Sequence, residues 1–458
     1  MSPTKHRRLH PTRFLVKRPT FDLQTATARF PYRLGELSFE ETLVFPTGFA
    51  PEMAASPLFQ QALNLTACII GVSYFKLLAP LEIAMPDFSL TPSQQKLVLD
   101  VYENGLGEFY ARNTLSRFGK ISLNVKTAAP ESAPVFVPAS KALILIGGGK
   151  DSLVSAQLAL DMGKDFTPFA VNPKGPILAS AKGISLAPLF VKRTLDPEMI
   201  RLGKLEGYYN GHVPATAINS MIALLTALLF GYDEIILSNE RSASQGNAAH
   251  DGRFVNHQHS KSLAFENLLR AALFELTGAN LNYYSLLRPF SELHIAGIFS
   301  RTTRFDKSFS SCNANFTLGS SPERLWCGAC PKCHFVFLIF APFMDPERLC
   351  AIFNGNVLDN PAHLASFRQL CGLEGQKPWE CVGEILEAAA ALFALTKNSR
   401  WKDFALVSTL GSELEAFYGE ARLRTSWNDL MQNSDMQDAN THNIPPVLHA
   451  AITKLTSP

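Results

Sequence analysis

The 458-residue sequence lacks long hydrophobic runs: its longest, near 221–231, falls well short of the ~20 apolar residues that span a bilayer, so no membrane helix is expected. Charge of either sign is also scarce. Charged residues make up 18% of the chain, and 42 Lys and Arg against 40 Asp and Glu leave a formal net charge of +2. That balance gives no global positive field to recruit a nucleic-acid backbone, and only a local basic groove is left open. Neither a nucleic-acid nor a membrane partner is expected. The basic start, with Lys5, Arg7, Arg8, Arg13, Lys17 and Arg18, has no continuous apolar segment behind it and does not make a secretory signal. A cytoplasmic protein with a frayed basic N-terminus follows. Cysteine is sparse as well, yet three of the eight fall within seven residues: Cys327, Cys330 and Cys333. In a reducing compartment such clustering points to metal binding or redox chemistry, not to a disulfide framework. Cys68, Cys350, Cys371 and Cys381 read as small core residues.

What is abundant is apolar surface. Hydrophobic residues are 47% of the chain, with 33 Phe, which excludes a disordered linker protein. At roughly 150 residues per domain, two or three domains are expected. Phe30, Tyr32 and Leu34, then Leu37, Phe39, Glu41 and Leu43, alternate on either side of Gly35 and predict a hairpin. Thr91-Pro92-Ser93-Gln94 reads as a capping box with Pro at the first helical position. An N-terminal α+β domain over 1–125 results. Pro130, Pro134 and Pro138 make 126–141 a linker. From 142 the pattern becomes apolar runs separated by helical stretches: strands at 142–146, 167–171 and 234–237, helices at 151–162 and 218–230. Such alternation predicts a doubly wound parallel α/β sheet over 142–341, with ligands at the carboxyl ends of its strands. The region 342–458 reads as mainly helical, most clearly at 381–393, with its last thirty residues polar and loosely held.

The most informative string is Leu143-Ile144-Leu145-Ile146-Gly147-Gly148-Gly149-Lys150-Asp151-Ser152. A strand runs into three glycines and then a helix, which is an anion site. Glycines let the backbone approach an oxyanion closely, and the first N–H groups of the helix carry partial positive charge. Lys150 adds a mobile cation and Ser152 a hydroxyl donor. Asp151 would repel a phosphate unless a cation intervenes, and a shared Mg2+ resolves that conflict. Neither the Walker loop nor the dinucleotide Gly-x-Gly-x-x-Gly spacing fits.

Three further strings carry chemistry. Ser238-Asn239-Glu240-Arg241-Ser242-Ala243-Ser244 follows a strand, where Glu240 can serve a metal or substrate and Arg241 can grip a carboxylate or phosphate. Asn256-His257-Gln258-His259 offers two imidazoles as ligands, as a base with its partner, or as plain surface residues. His212, before Val213-Pro214, is a further candidate. Trp326-Cys327-Gly328-Ala329-Cys330-Pro331-Lys332-Cys333-His334 has two-residue spacers that turn neighbouring sulfurs onto one ion, with Cys312 or His334 as the fourth ligand. Structural Zn2+, an iron–sulfur cluster and packed free thiols all remain open.

The glycine string resembles the Ser-Gly-Gly-x-Asp-Ser signature of the PP-loop ATP pyrophosphatases, with Gly147 standing where the signature has Ser. Together with the strings at 238–244, 256–260 and 326–335, and about 125 residues ahead of them, the chain resembles the bacterial UDP-N-acetylmuramoyl-L-alanyl-L-glutamate epimerase family. The resemblance implies a PP-loop fold and a UDP-muramoyl-dipeptide substrate whose terminal L-Glu is inverted to D-Glu, with ATP consumed to AMP and diphosphate. It also implies coupling to the muramoyl ligase that adds L-glutamate. In that reading ATP sits on Gly147, Gly148, Gly149, Lys150, Asp151, Ser152 and Arg241, and Mg2+ on Asp151. Lys150 has a catalytic role, and the proton-transfer base comes from His257, His259, His212 and Glu240. The four thiols of Cys312, Cys327, Cys330 and Cys333 would take zinc. Two competitors share the loop: another PP-loop adenylating enzyme, such as a deazaguanine nitrile synthase or a tRNA-modifying enzyme, and a catalytically silent nucleotide-binding module.

Overall fold

The computed structural model describes residues 13–129, 136, 138–246, 248–315, 324–375, 378, 382–432 and 434–457. The basic stretch through Arg8, the centre of the expected linker and Cys381 lie outside the described residues. The chain opens with β1 (Arg13–Val16), β2 (Thr20–Asp22), β3 (Thr27–Leu34) and β4 (Leu37–Val44), followed by β5 (Glu82–Leu90) and β6 (Ser122–Thr127). The parallel section uses β7 (Ala139–Leu145), β8 (Phe166–Val171), β9 (Leu189–Thr194) and β10 (Tyr232–Leu237). A small hairpin of β11 (Ala248–His250) and β12 (Arg253–Val255) intervenes before β13 (Asn282–Ser285). Eleven strands join in one mixed, mostly parallel sheet ordered β13-β10-β7-β8-β9-β4-β3-β1-β5-β6, with β2 on β3.

Local chemistry explains the elements. Gly35, at φ +63°, allows a two-residue turn that pairs Leu34 with Leu37 and sets β3 against β4. The alternating residues Phe30, Tyr32, Leu34, Phe39 and Leu43 are all buried on one face. Thr91 caps the helix Pro92–Glu103: its hydroxyl accepts from Gln94 N (3.3 Å), while its own N–H donates to Gln94 Oε1 (3.1 Å). The helices Lys150–Asp161 and Ala215–Phe230 start somewhat earlier than their apolar spacing suggests. Gly231, at φ +72°, ends the second and feeds directly into β10.

The parallel strands are covered on both faces. Leu143, Ile235 and Leu237 enter one core, which also holds Phe14, Phe30 and Leu63 from the N-terminal part. Ala142, Ile144 and Ile236 enter the other, shared with the C-terminal helices through Phe337, Leu392 and Leu410. The two parts of the sheet meet where β4 pairs antiparallel with β9. At that seam the fully buried Glu41 of β4 accepts from Arg193 of β9 (Nε to Oε1, 2.5 Å), and Arg193 also donates to Ser73 Oγ (3.0 Å). The stretch Pro57–Phe75 is long and apolar enough to cross a membrane, although Gln60, Gln61 and Asn64 interrupt its apolar residues. It is mostly buried inside the first core.

The C-terminal region is helical, with helices Ile385–Thr396, Ala405–Tyr418 and Glu420–Met431. One expectation is corrected. The last thirty residues are polar in composition yet not loosely held. The helix Pro446–Thr456 buries Ile452 completely, and His294 Nε2 donates to the Thr456 carbonyl (2.8 Å). Arg301 donates to the Leu455 and Ser457 carbonyls (2.7 Å each), capping the helix end where the dipole is negative. One apolar stripe on a polar helix suffices for docking, and mean composition hides it.

Candidate active site and thiol cluster

From β7 the chain moves outward to β8 and β9, then returns to the other side of β7 for β10 and β13. The order therefore reverses between β7 and β10, and a sheet of this kind binds ligands in the crevice outside the carboxyl ends at that point. The glycine string follows β7, the 238–244 string follows β10, and the 286–292 turn follows β13. The helices Ala215–Phe230 and Leu263–Thr277 precede β10 and β13, so their N-termini start at the same edge. His212 and His259, just ahead of those helices, are delivered there too.

The glycine loop is braced from behind and open in front. Gly148 has φ +85°, and a Cβ on it would press to 3.1 Å against the Pro176–Ile177 backbone, so only glycine fits. Its carbonyl accepts from Ser310 N (2.9 Å) and Ser180 Oγ (3.3 Å). The N–H groups of Gly147, Gly148 and Gly149 meet no acceptor among the described residues. A Cβ on Gly147 would meet nothing within 4 Å. Three unpartnered amides ahead of the helix Lys150–Asp161 fit a phosphate group. Ser152 is turned inward, its Oγ donating to the Gly149 carbonyl (3.1 Å).

Beside the loop lies a charge cluster that joins Lys150 and Asp151 to residues outside the sequence motif. Lys150 is 2% exposed and pairs with both Asp151 and Glu292. Glu292 opens the helix Glu292–Ser300 and lies 3.9 Å from the ammonium of Lys332, the residue between Cys330 and Cys333. Burial alone would raise the Glu292 carboxyl, but Lys150 and Lys332 bring it down to about 2. Asp151 is raised by burial and by the nearby Glu292 and Glu240 carboxylates, despite Lys150. Carboxylates crowded in this way fit a divalent cation.

A second buried carboxyl, Glu387, accepts from the backbone N–H of Glu292 (Oε1, 2.8 Å) and of Glu384 (Oε2, 2.6 Å), tying the helix Ile385–Thr396 to the cluster. Gly383 is obligatory there, since any Cβ would overlap Glu387 Oε2 and the Phe335 ring. Burial and the Glu384 and Glu292 charges push Glu387 up to about 8. Its folded-state pKa thus exceeds the ordinary 4.5, so its contribution is complete below that value and is lost as pH rises through about 8. The thermal midpoint is expected to fall across that window. Glu387→Gln should flatten the fall by on the order of 5 kcal/mol, and parallel pH–stability curves for the two proteins would contradict the assignment.

The remaining sequence candidates divide into two groups. Glu240 is buried, accepts from Ser242 Oγ (3.0 Å) and lies close enough to Asp151 to act on its charge. Arg241 faces the C-terminal region, 3.8 Å from Glu384 and 3.6 Å from Asp435. His257 is buried. His259 and His212 instead border the N-terminal part. His259 Nε2 lies 2.8 Å from Asp100, and His212 Nδ1 lies 3.3 Å from Glu108. The structure thus gathers the glycine string, Glu240 and Glu292 at one place and sets these two histidines against N-terminal carboxylates.

The sulfurs of Cys312, Cys327, Cys330 and Cys333 all lie within 4.8 Å of one another, with Cys327 and Cys333 at 3.6 Å. Zn–S bonds of 2.3 Å give a tetrahedron edge of about 3.8 Å, so the four thiols fit one zinc ion. Gly328, at φ +71°, makes the turn that lets Ala329 N donate to Cys327 Sγ (3.5 Å), and Cys333 N donates to Cys330 Sγ (3.4 Å). Hydrogen bonds from Cys330 and Cys333 pull the Cys312 thiol well below its ordinary value; the same sharing pushes Cys330 up to about 12 and raises Cys333. Of the two fourth-ligand candidates, Cys312 stands with the other sulfurs. His334 has both ring nitrogens engaged, with Ser366 Oγ (2.8 Å) and the Gly328 carbonyl (3.1 Å).

Fold and site together define an open α/β protein with an anion-binding glycine loop at its switch point and a four-thiol cluster behind it. The family profile described as MurL N-terminal domain matches residues 5–286, and that of the MurL C-terminal domain matches residues 308–424. The chain belongs to the MurL family. It is 41% identical over 438 residues to the UDP-N-acetyl-alpha-D-muramoyl-L-alanyl-L-glutamate epimerase of Xanthomonas oryzae pv. oryzae, covering 95% of both chains. It is 38% identical to the protein of the same name from a Micromonospora species (95% of this chain, 96% of the relative) and 42% identical to that of Salinispora tropica (85% and 86%). No solved structure matches the chain.

Proposed function

We propose that this protein is a cytoplasmic, ATP-dependent epimerase of the PP-loop class. It would invert the terminal L-glutamate of UDP-N-acetylmuramoyl-L-alanyl-L-glutamate during peptidoglycan precursor synthesis, after a muramoyl ligase has added that glutamate. The reading rests first on the three unpartnered amides of Gly147, Gly148 and Gly149 at the switch point. The names of the relatives supply the substrate.

The chemistry explains why a nucleotide is needed. Removing an α-proton beside an ionised carboxylate would place a second negative charge on the same small group. Joining that carboxylate to AMP cancels the first charge and lets the carbonyl accept the new one as an enolate, within reach of a side-chain base near neutral pH. In this reading the loop amides and the helix start hold the phosphates, Asp151 with Glu240 holds Mg2+, and Lys150 offsets the charge that develops on the departing diphosphate. Mg2+ supplies neutralisation of the phosphate oxygens. Water then frees AMP and either epimer. Zinc, if bound by the thiols of Cys312, Cys327, Cys330 and Cys333, would fix the segment carrying Ser310 against the loop.

The direct test is incubation with ATP, Mg2+ and the UDP-muramoyl dipeptide, followed by chiral analysis of the glutamate and assay of AMP and diphosphate. Asp151→Asn should lower AMP formation by at least about 100-fold through lost metal binding. Cleavage only at the terminal phosphate, or full turnover by this variant, would overturn the assignment.

A further inference from the structure

Two histidine–carboxylate pairs stand on the carboxyl edge, and they are built alike. Asp100 and Glu108 come from consecutive helices of the N-terminal part, Pro92–Glu103 and Gly107–Arg112. In each carboxylate one oxygen is held by the helix's own next turn: Asn104 Nδ2 donates to Asp100 Oδ1 (2.8 Å), and Arg112 Nε donates to Glu108 Oε1 (2.6 Å). The other oxygen meets an imidazole, at 2.8 Å for His259 Nε2 and 3.3 Å for His212 Nδ1. Both carboxylates are 11% exposed, while the histidines are 16% and 27% exposed, so the imidazoles form the outer ends of the pairs. The second ring nitrogen of each, Nδ1 of His259 and Nε2 of His212, has no partner among the described residues.

A carboxylate on one ring nitrogen fixes the N–H there and leaves the lone pair on the other, which is how an imidazole is set up as a base. The buried Arg288 links the His259 segment to the string after β10, donating to the carbonyl of Lys261, two residues after His259 (2.6 Å), and to that of Glu240 (3.0 Å). Stereoinversion at a carbon needs proton transfer on two opposite faces.

We infer that His259 and His212 are the two acid–base residues of the inversion, one for each face of the glutamyl α-carbon, with Asp100 and Glu108 as their positioning residues. The inference rests on the adenylating reading above and deepens it. One neutral imidazole takes the α-proton, and the C–H electron pair passes into the enolate of the mixed anhydride. The other, as imidazolium, gives its proton to the opposite face, and the enolate pair forms the new C–H bond. One proton leaves carbon and one arrives, with no redox change, and exchange with water resets the two rings.

The test runs the L and D epimers of the UDP-muramoyl dipeptide separately with ATP and Mg2+ in D2O, reading AMP release and α-deuteration. Wild type should release AMP and deuterate both epimers. His259→Asn and His212→Asn should still release AMP but invert at least about 100-fold more slowly. Each variant should exchange the α-proton of one epimer only, and not the same one. Asp100→Asn and Glu108→Gln should weaken exchange with the epimer that their own histidine serves, which a merely structural change would not single out. Should a histidine variant not fold, these near-isosteric variants carry the same epimer-specific test. Variants that exchange and invert both epimers at wild-type rates would overturn the inference while leaving the adenylation reading intact. A wild-type protein that releases no AMP would overturn both.

Discussion

Glu292→Ala is expected to cost about 3–5 kcal/mol of folding stability, the range for stripping the partner from a buried charge. The reason lies in what remains. Glu292 is the carboxylate shared by Lys150 and Lys332, both buried, and the substitution removes it from between two ammonium groups in a dry interior. The loss would consume much of the roughly 5–15 kcal/mol that holds an ordinary domain together. Urea denaturation followed by circular dichroism measures it, and a midpoint equal to wild type would show that the lysines find other partners. Glu292→Gln keeps the shape and one hydrogen-bonding oxygen, so its cost should fall between the two.

The second large effect concerns the thiols. With zinc bound as proposed, Cys330→Ser removes one of four ligands from a site able to contribute on the order of 10 kcal/mol to folding. Poor recovery of folded protein is the expected outcome, together with zinc content falling from one ion per chain. Cys350→Ser, at a half-buried thiol apart from the cluster, should change neither. Purified wild type without zinc would remove the proposal. The damage should also spread to the glycine loop. Cys312 lies two residues from Ser310, whose N–H holds the Gly148 carbonyl, and Lys332 lies between two of the ligands and against Glu292. Exchange of the Ser310 amide, whose N–H holds the Gly148 carbonyl, is therefore expected to quicken in Cys330→Ser.

Local chemistry made much of this legible. The Gly35 turn, the Thr91 capping box and the strand–glycine–helix string depend on neighbours in sequence, and each stands where its residues predict. The grouping of Cys327, Cys330 and Cys333 was equally visible, whereas the choice between Cys312 and His334 depended on what else each side chain touched. Glu292, Lys332 and Glu387 left no comparable mark. A buried ion pair between residues 142 positions apart has no spacing to detect, although Lys332 lay in plain view between two cysteines. The partners of the histidines were equally hidden, because the carboxylates facing His259 and His212 come from helices more than 100 residues earlier.

Because β4 hydrogen-bonds to β9, the N-terminal part is stitched to the half that carries the glycine loop by continuous backbone ladder, with Glu41 and Arg193 buried across the join. A clamshell enzyme opens by swinging two bodies about a hinge, and that option is closed here without breaking strand pairing. The histidine–carboxylate pairs and the glycine loop are consequently expected to keep a fixed spacing during the proposed turnover. If the proposed sugar-nucleotide peptide is the substrate, catalytic cycling should therefore resemble loading a fixed jig more than closing a jaw.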